Sequence, residues 1–268
     1  MQNTKKPAKK PIIVTKPYLT GSPTDGDTLK SSLKFFGSLV IMAFAYLLLG
    51  SILLWDSLVL RVLTNGAMMA VVYLLFYNSG TGLGAAAVNT GEIMYQRRET
   101  GREVDAGDQA KCYHSAKGFV NALIGTVPLL VCAVLLAVLA QKQETGLSTL
   151  PSWLSTYERR GEIGGALAFY HVTTPMSLED MMRLVVRMTM MPLVSIVGSA
   201  NKEGLLLLER LSPLVSLLPG VFYGFGYLRG VSVRTRVHSD IAANKRKRAR
   251  KERKARQARA AHAPEQLN

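Results

Sequence analysis

Two long runs without a charged residue constrain the fold of this chain more than any other feature. Residues 35–54 and residues 120–140 contain no Asp, Glu, Lys or Arg. A helix of about 20 residues is about 30 Å long, which matches the hydrocarbon core of a bilayer. The hydrophobic content of 48% is close to the average for soluble proteins, so it is the clustering of apolar residues that predicts a membrane protein. The first run follows a long polar segment, which argues against a cleaved signal peptide.

Two further apolar runs complete the predicted membrane domain. Residues 58–76 are apolar except for Arg61, whose long stem can reach the headgroups from near the end of the span. Residues 211–228 carry no charge, although they contain two prolines. The apolar part of residues 177–199 is too short for a full span, and we expect an interfacial or re-entrant helix in the outer loop there. The sequence therefore predicts an all-α, polytopic membrane protein with about four transmembrane helices.

The basic residues predict how this membrane domain is oriented. Lys and Arg concentrate on the cytoplasmic flanks of spans. Residues 1–34 are rich in lysine and proline, and we expect a disordered basic cytoplasmic arm there, followed by a helical membrane domain over residues 35–228. Residues 229–268 form a basic tail that we also expect in the cytoplasm, which requires an even number of spans. Residues 77–118 then lie inside, residues 141–204 lie outside, and the predicted location is the plasma membrane.

The tail contains "NKRKRARKERKARQARA" over residues 244–260, in which ten of seventeen residues are Lys or Arg. Its composition predicts a helix that starts near Asp240 and stops at Pro264. No aromatic residue follows Arg229, so the tail cannot stack single-stranded bases, and it has no apolar face to embed in lipid. The residues predicted to contact anionic lipid or another polyanion are Lys245, Arg246, Lys247, Arg248, Arg250, Lys251, Arg253 and Lys254. The cytoplasmic leaflet is the favoured partner, and nucleic acid or a ribosome is the second.

Two arginines in the outer loop form a second candidate site. Arg183 and Arg187 lie one helical turn apart and are candidates for contact with an anion or a lipid headgroup. The simpler alternative is an amphipathic helix whose arginines face water or headgroups while its methionines and aliphatic residues face lipid or the helix bundle. We favour that alternative.

The segment "GTGLGA" over residues 80–85 resembles a dinucleotide-binding pattern only in its spacing. That fingerprint requires a preceding strand and a following helix, whereas this segment follows a predicted membrane span. We therefore expect close helix packing through small residues, or a helix exit.

No catalytic or metal-binding constellation emerges from the remaining residues. The four histidines have no ligand spacing, and we expect Cys112 and Cys132 to be free thiols. We accordingly expect no enzymatic activity, no metal and no cofactor. The predicted function is a non-enzymatic subunit or scaffold of a transport or envelope complex, with the bilayer, anionic lipids and other membrane subunits as partners. The alternatives are a transporter or channel for a small solute, and an insertase-like or ribosome-docking membrane protein.

Overall fold

A computed structural model describes residues 13–52, 55–140, 178–198 and 201–261. Within these ranges the secondary structure consists of seven α-helices and no β-strand, which confirms the all-α fold class. The helices are α1 (Thr28–Ile52), α2 (Leu58–Glu99), α3 (Ala106–Ala110), α4 (Lys117–Leu139), α5 (Leu178–Thr189), α6 (Met191–Val197) and α7 (Lys202–Ala261).

Four of these helices, α1, α2, α4 and α7, are long and apolar enough to cross a membrane, which confirms the predicted number of spans. Their large aliphatic side chains are widely exposed; Ile41, Leu63, Leu74 and Leu214 each expose more than half of their surface. The exposure of so many large apolar side chains is unfavourable in water and favourable against lipid tails. The chain therefore has the helices and the surface of a transmembrane protein.

The helices extend well beyond the charge-free runs that predicted them. Helix α1 begins at Thr28, and α2 continues past the predicted end of its span to Glu99. The tail helix does not start near Asp240, because α7 runs through that position without a break. After Gly230 the helix contains neither Gly nor Pro up to its end at Ala261, so nothing in the sequence interrupts it. Pro264, the predicted stop, lies outside the described residues.

The chain divides into two compact units. The first unit contains Met1–Asp27, Tyr77–Gly118 and Gly224–Asn268. The second unit contains Thr28–Phe76 and Phe119–Tyr223. The first therefore collects the segments near the two termini together with the segment between the second and third spans.

Aromatic and small residues pack the second unit. The ring of Phe35 lies 5.4 Å from that of Phe76 and 4.9 Å from that of Tyr223, measured between centroids. Gly125 allows α4 to approach the backbone of Ser32 closely. The helix predicted within residues 177–199 is present as α5 and α6, and both pack against α1.

The first unit holds part of the N-terminal segment in a fixed path. The amide of Leu19 donates to the carbonyl of Gly91 at 3.1 Å, and the amide of Gly21 donates to the carbonyl of Tyr113 at 2.9 Å. The prediction of a disordered arm is therefore wrong for residues 13–27, and residues 28–34 belong to α1. Local composition missed these contacts because their partners lie about 70 to 90 positions further along the chain.

Glycines bring α2 and α7 into close contact in the first unit. A Cβ atom at Gly84 would overlap the backbone carbonyl of Tyr227, and one at Gly226 would overlap that of Tyr77. Gly230 in turn lies against the backbone of Gly84. This confirms the prediction that "GTGLGA" packs helices closely. The contact positions rise together along both helices, so α2 and α7 run parallel here.

Candidate functional site

A buried carboxylate joins α2 to α7 in the first unit. The Oε1 atom of Glu92 lies 2.7 Å from Nε2 of His238, and its Oε2 atom accepts hydrogen bonds from Nε and a terminal nitrogen of Arg234 at 3.1 and 3.0 Å. The same terminal nitrogen of Arg234 donates to Oδ1 of Asn89 at 2.5 Å. Glu92 and His238 are buried, and Arg234 is half-buried. We call these four residues the Glu92 cluster.

The Glu92 cluster continues the contact that the glycines begin. Gly226, Gly230, Arg234 and His238 follow one another at intervals of four residues, so they lie along one face of α7. The glycines allow the backbones of α2 and α7 to approach closely, and Arg234 and His238 then contact Glu92 on the same face of α7. The carboxylate of Glu92 contacts a permanent cation on one oxygen and a histidine on the other, so both of its oxygens are engaged by α7.

The Glu92 cluster is absent from the sequence-based predictions, although a faint signal was present. Asn89 and Glu92 are spaced by three residues and Arg234 and His238 by four, so each helix carries two polar groups on one face. The two pairs are separated by more than 140 positions. No local pattern indicates that they meet.

A second buried ion pair fastens the N-terminal segment to the start of α4. The Nζ atom of Lys117 lies 2.7 Å from a carboxylate oxygen of Asp25, and both side chains are buried. The same ammonium donates to the carbonyl oxygens of Ala110 and Cys112 at 2.8 and 3.2 Å. These three contacts match the three donors of a lysine, so its charge is well compensated.

The two arginines singled out in the outer loop meet in the second unit, where both bind Glu209. The Nε atoms of Arg183 and Arg187 each lie 2.9 Å from Oε1 of Glu209. Arg183 also pairs with Glu179 at 2.7 Å and with Asp180 at 3.4 Å. We call these five residues the Glu209 cluster.

The burial of the Glu209 cluster corrects the expected environment of Arg183. Its exposed fraction is only 6%, so it does not face water or headgroups as the amphipathic-helix alternative predicted. Arg187 is half-buried and retains some exposure. Two guanidinium groups face three carboxylates, which makes the cluster an internal contact between α5 and α7. Contact of either arginine with an external anion or headgroup stays a prediction.

The residues predicted to contact a polyanion all lie on α7, and their side chains are exposed. Successive residues of a helix are rotated by about 100°, so a run this dense directs positive charge to every side of the helix. None of the ion pairs formed within the described residues involves these side chains. These residues are Lys245, Arg246, Lys247, Arg248, Arg250, Lys251, Arg253 and Lys254.

The two cysteines are free thiols, as predicted. Cys112 is fully buried in the first unit, and this burial raises the pKa of its thiol, so it remains protonated and poorly nucleophilic at neutral pH. Over the described ranges, no group of three or more His, Cys, Asp and Glu side chains is arranged to hold a metal ion.

Two groups of charged side chains stand out among the residues that the structure describes. The buried ones contact oppositely charged groups of another helix or segment, and those at the end of α7 extend into open space. No protein-family model matches the chain, and no curated protein and no solved structure is significantly similar to it.

Proposed function

We propose that this chain is a multi-pass plasma-membrane protein with both termini in the cytoplasm, acting as a non-enzymatic subunit or scaffold of a transport or envelope complex. One observation carries most of this proposal. The N-terminal segment, the segment between spans two and three, and the C-terminal segment belong to one compact unit.

Direct contacts link the three segments. Leu19 bonds to Gly91, the amide of Val14 donates to Oγ of Ser239 at 3.1 Å, and Arg234 pairs with Glu92. These contacts support a topology in which the three segments lie on the same side of the bilayer, as an even number of spans requires. The excess of Lys and Arg in the two terminal segments favours the cytoplasmic side.

The direction of the helices supports the same topology. With the N-terminus inside, the second and fourth spans both enter the cytoplasm as the chain proceeds. Helices α2 and α7 accordingly run parallel in the first unit, where Gly226 lies on Tyr77 and Gly230 lies on Gly84. Two helices crossing in opposite directions could not make this series of contacts.

The distribution of charge favours binding over chemistry. Glu92, Glu209 and Lys117 are buried, and each is engaged by groups of its own chain. Among the described residues, the exposed cations at the end of α7 form the densest group of like charges left for a partner. A protein that anchors such a surface to the membrane is well suited to hold other components together.

Labelling of single cysteines tests the topology. In a background with Cys112→Ala and Cys132→Ala, we expect an impermeant maleimide to label Asp56→Cys on intact cells. Ser115→Cys and Ala243→Cys should react only after the membrane is permeabilised. All three positions are exposed, so poor access within the protein is not a competing explanation. Labelling of Ser115→Cys and Asp56→Cys from the same side would contradict the proposal.

Association is tested separately, by mild crosslinking in cells followed by purification in detergent. We expect the chain to purify with other membrane proteins in constant ratio. A chain that stays alone after crosslinking, while a known membrane complex in the same cells is captured, would rule out the role of a subunit.

A further inference from the structure

We infer that the end of α7 is a docking helix for double-helical nucleic acid and not an anchor on the lipid leaflet. We call residues 244–257 of α7 the basic arm. This inference rests on the proposed topology, because it takes the arm to project from the last membrane span into water. The sequence alone favoured the cytoplasmic leaflet over nucleic acid as the partner of the tail, and this inference reverses that order.

The part of α7 just before the basic arm, which we call its root, packs against other segments of the first unit. One face of α7 contacts α2 through Gly226, Gly230, Arg234 and His238, at intervals of four residues. One residue later, the hydroxyl of Ser239 accepts a hydrogen bond from the N-terminal segment. The helix is therefore held until just before the arm begins.

The arm continues this root without a hinge. A helix rises about 1.5 Å per residue, which carries Lys245 about 26 Å and Arg256 about 42 Å along the axis beyond Leu228, the last residue of the charge-free run. The attraction of an anionic leaflet falls off within a Debye length, about 8 Å at physiological ionic strength. On the proposed topology, in which α7 leaves the bilayer after Leu228 and continues into water, most of this charge lies outside the reach of the leaflet.

The distribution of charge around the arm also disfavours a flat partner. A planar leaflet, or one face of an acidic protein, contacts one side of a helix and leaves the opposite cations unused. The major groove of B-form DNA is about 12 Å wide and places phosphates on both sides of an inserted helix. A helix with side chains is about 10–12 Å across, so the groove can accept it.

The composition of the basic arm further restricts the kinds of partner that it can bind. It contains no aromatic residue, which removes the stacking platform that single-stranded nucleic acid requires. It has no apolar stripe, which a protein groove for an amphipathic helix would need. What remains is contact between guanidinium or ammonium groups and backbone phosphates, driven by counterion release and independent of base sequence.

The test uses the full chain in nanodiscs of zwitterionic lipid, which leave both faces of the membrane accessible. Binding is measured to duplex DNA and duplex RNA of the same sequence, about two helical turns long. With six to eight phosphate contacts, we expect affinity for the preferred duplex to fall about 10³- to 10⁴-fold between 50 and 200 mM salt. Comparison of the two duplexes distinguishes DNA from RNA as the source of the phosphates.

A matched pair of variants isolates the charge of the arm. The first replaces Lys245, Arg248, Lys251 and Lys254 with Gln, and the second exchanges Lys and Arg at the same four positions. Removing four cations should reduce the salt effect to about 10- to 100-fold and weaken binding, whereas the exchange should leave both nearly unchanged. Circular dichroism checks that both variants stay helical.

Three probes decide among the competing partners: the duplexes, polyglutamate of equal charge, and nanodiscs of anionic lipid with a spin label at Ala249→Cys. We expect tight binding to a duplex, weaker binding to polyglutamate, and a label that stays mobile and exposed to water in anionic lipid. The inference is overturned by immobilisation of the label by anionic lipid, by equal or tighter binding to polyglutamate, or by binding to none of the probes. None of these results depends on which face of the membrane is cytoplasmic, so they are independent of the labelling test of topology.

Discussion

The buried cations and the exposed cations of this chain are used in opposite ways. Arg183 is buried and Arg234 is half-buried, and each binds a carboxylate of another helix at 2.9 to 3.1 Å. The cations of the basic arm, by contrast, are exposed. The paired arginines hold helices together, and the cations of the basic arm give the folded chain a strongly positive surface.

This difference follows from the cost of burial. A buried charge is tolerated only when another charge and hydrogen bonds compensate it, so the loss of one partner is expensive. An exposed charge is solvated by water and needs no partner, so its loss changes the fold little. The two groups therefore make opposite predictions for substitutions that each remove a charge.

Glu209→Gln should produce the largest loss of stability. The change leaves Arg183 and Arg187 without the carboxylate that they share, in a place where Arg183 is almost fully buried. Glu179 and Asp180 still compensate Arg183, so we expect a loss of about 3 kcal/mol in the free energy of unfolding, at the low end of the range for breaking a buried ion pair. The loss is measured by titration with SDS in mixed micelles.

Glu179→Gln is the matched control for this prediction, because Glu179 also contacts Arg183 but its side chain is about one-third exposed. Its expected cost is below about 1 kcal/mol, as for other partly exposed ion pairs. Equal effects of the two substitutions would show that Glu209 has no special role.

Glu92→Gln should produce the second largest loss. Arg234 keeps its hydrogen bond to Asn89 and is half-buried, so water compensates part of its charge. We expect about 2 kcal/mol, at the low end of the range for breaking a buried charged hydrogen bond. Glu99→Gln on the exposed end of the same helix should have no measurable effect. If Glu92→Gln is as harmless as Glu99→Gln, the Glu92 cluster does not fasten α2 to α7.

The sequence predicted the membrane helices well, because a charge-free run of about 20 residues has few alternatives to a span. It predicted their ends poorly. The first helix starts at Thr28 and not at residue 35, since polar residues such as Lys30 and Lys34 can continue a helix past the apolar core. The tail helix was recognised from its Ala, Lys and Arg content, but its continuity with the last span depends on the absence of Gly and Pro after Gly230.

In the candidate sites, residues close together in the sequence could be predicted to form a group, and contacts between distant positions could not. Arg183 and Arg187 were found from their spacing within one helix. Their partner Glu209 lies 22 positions after Arg187, and no local pattern in the sequence indicates the contact. Glu92 and His238 lie 146 positions apart, so only the packing of α2 on α7 brings them together.

Gly84→Ala tests the glycine contact that precedes the Glu92 cluster. The new methyl group would overlap the carbonyl of Tyr227, and we expect a loss of about 1–3 kcal/mol in the same titration. Gly82→Ala is a control two residues away, where a Cβ meets nothing within 4 Å. That control should be neutral or stabilising by about 0.5–1 kcal/mol, because Ala favours a helix more than Gly does. A loss of equal size at both positions would indicate a general effect on α2 and not the contact with α7.

Replacement of Lys245, Arg248, Lys251 and Lys254 with Gln should have the smallest effect on stability, although it removes four charges at once. These side chains are exposed, and their mutual repulsion opposes a compact helix, so the unfolding midpoint should stay unchanged or rise slightly. The expected result is a protein of normal stability that binds duplex nucleic acid more weakly and with a smaller dependence on salt. A large loss of stability would mean that the arm packs against its own chain, and the contrast between the two groups of cations would no longer hold.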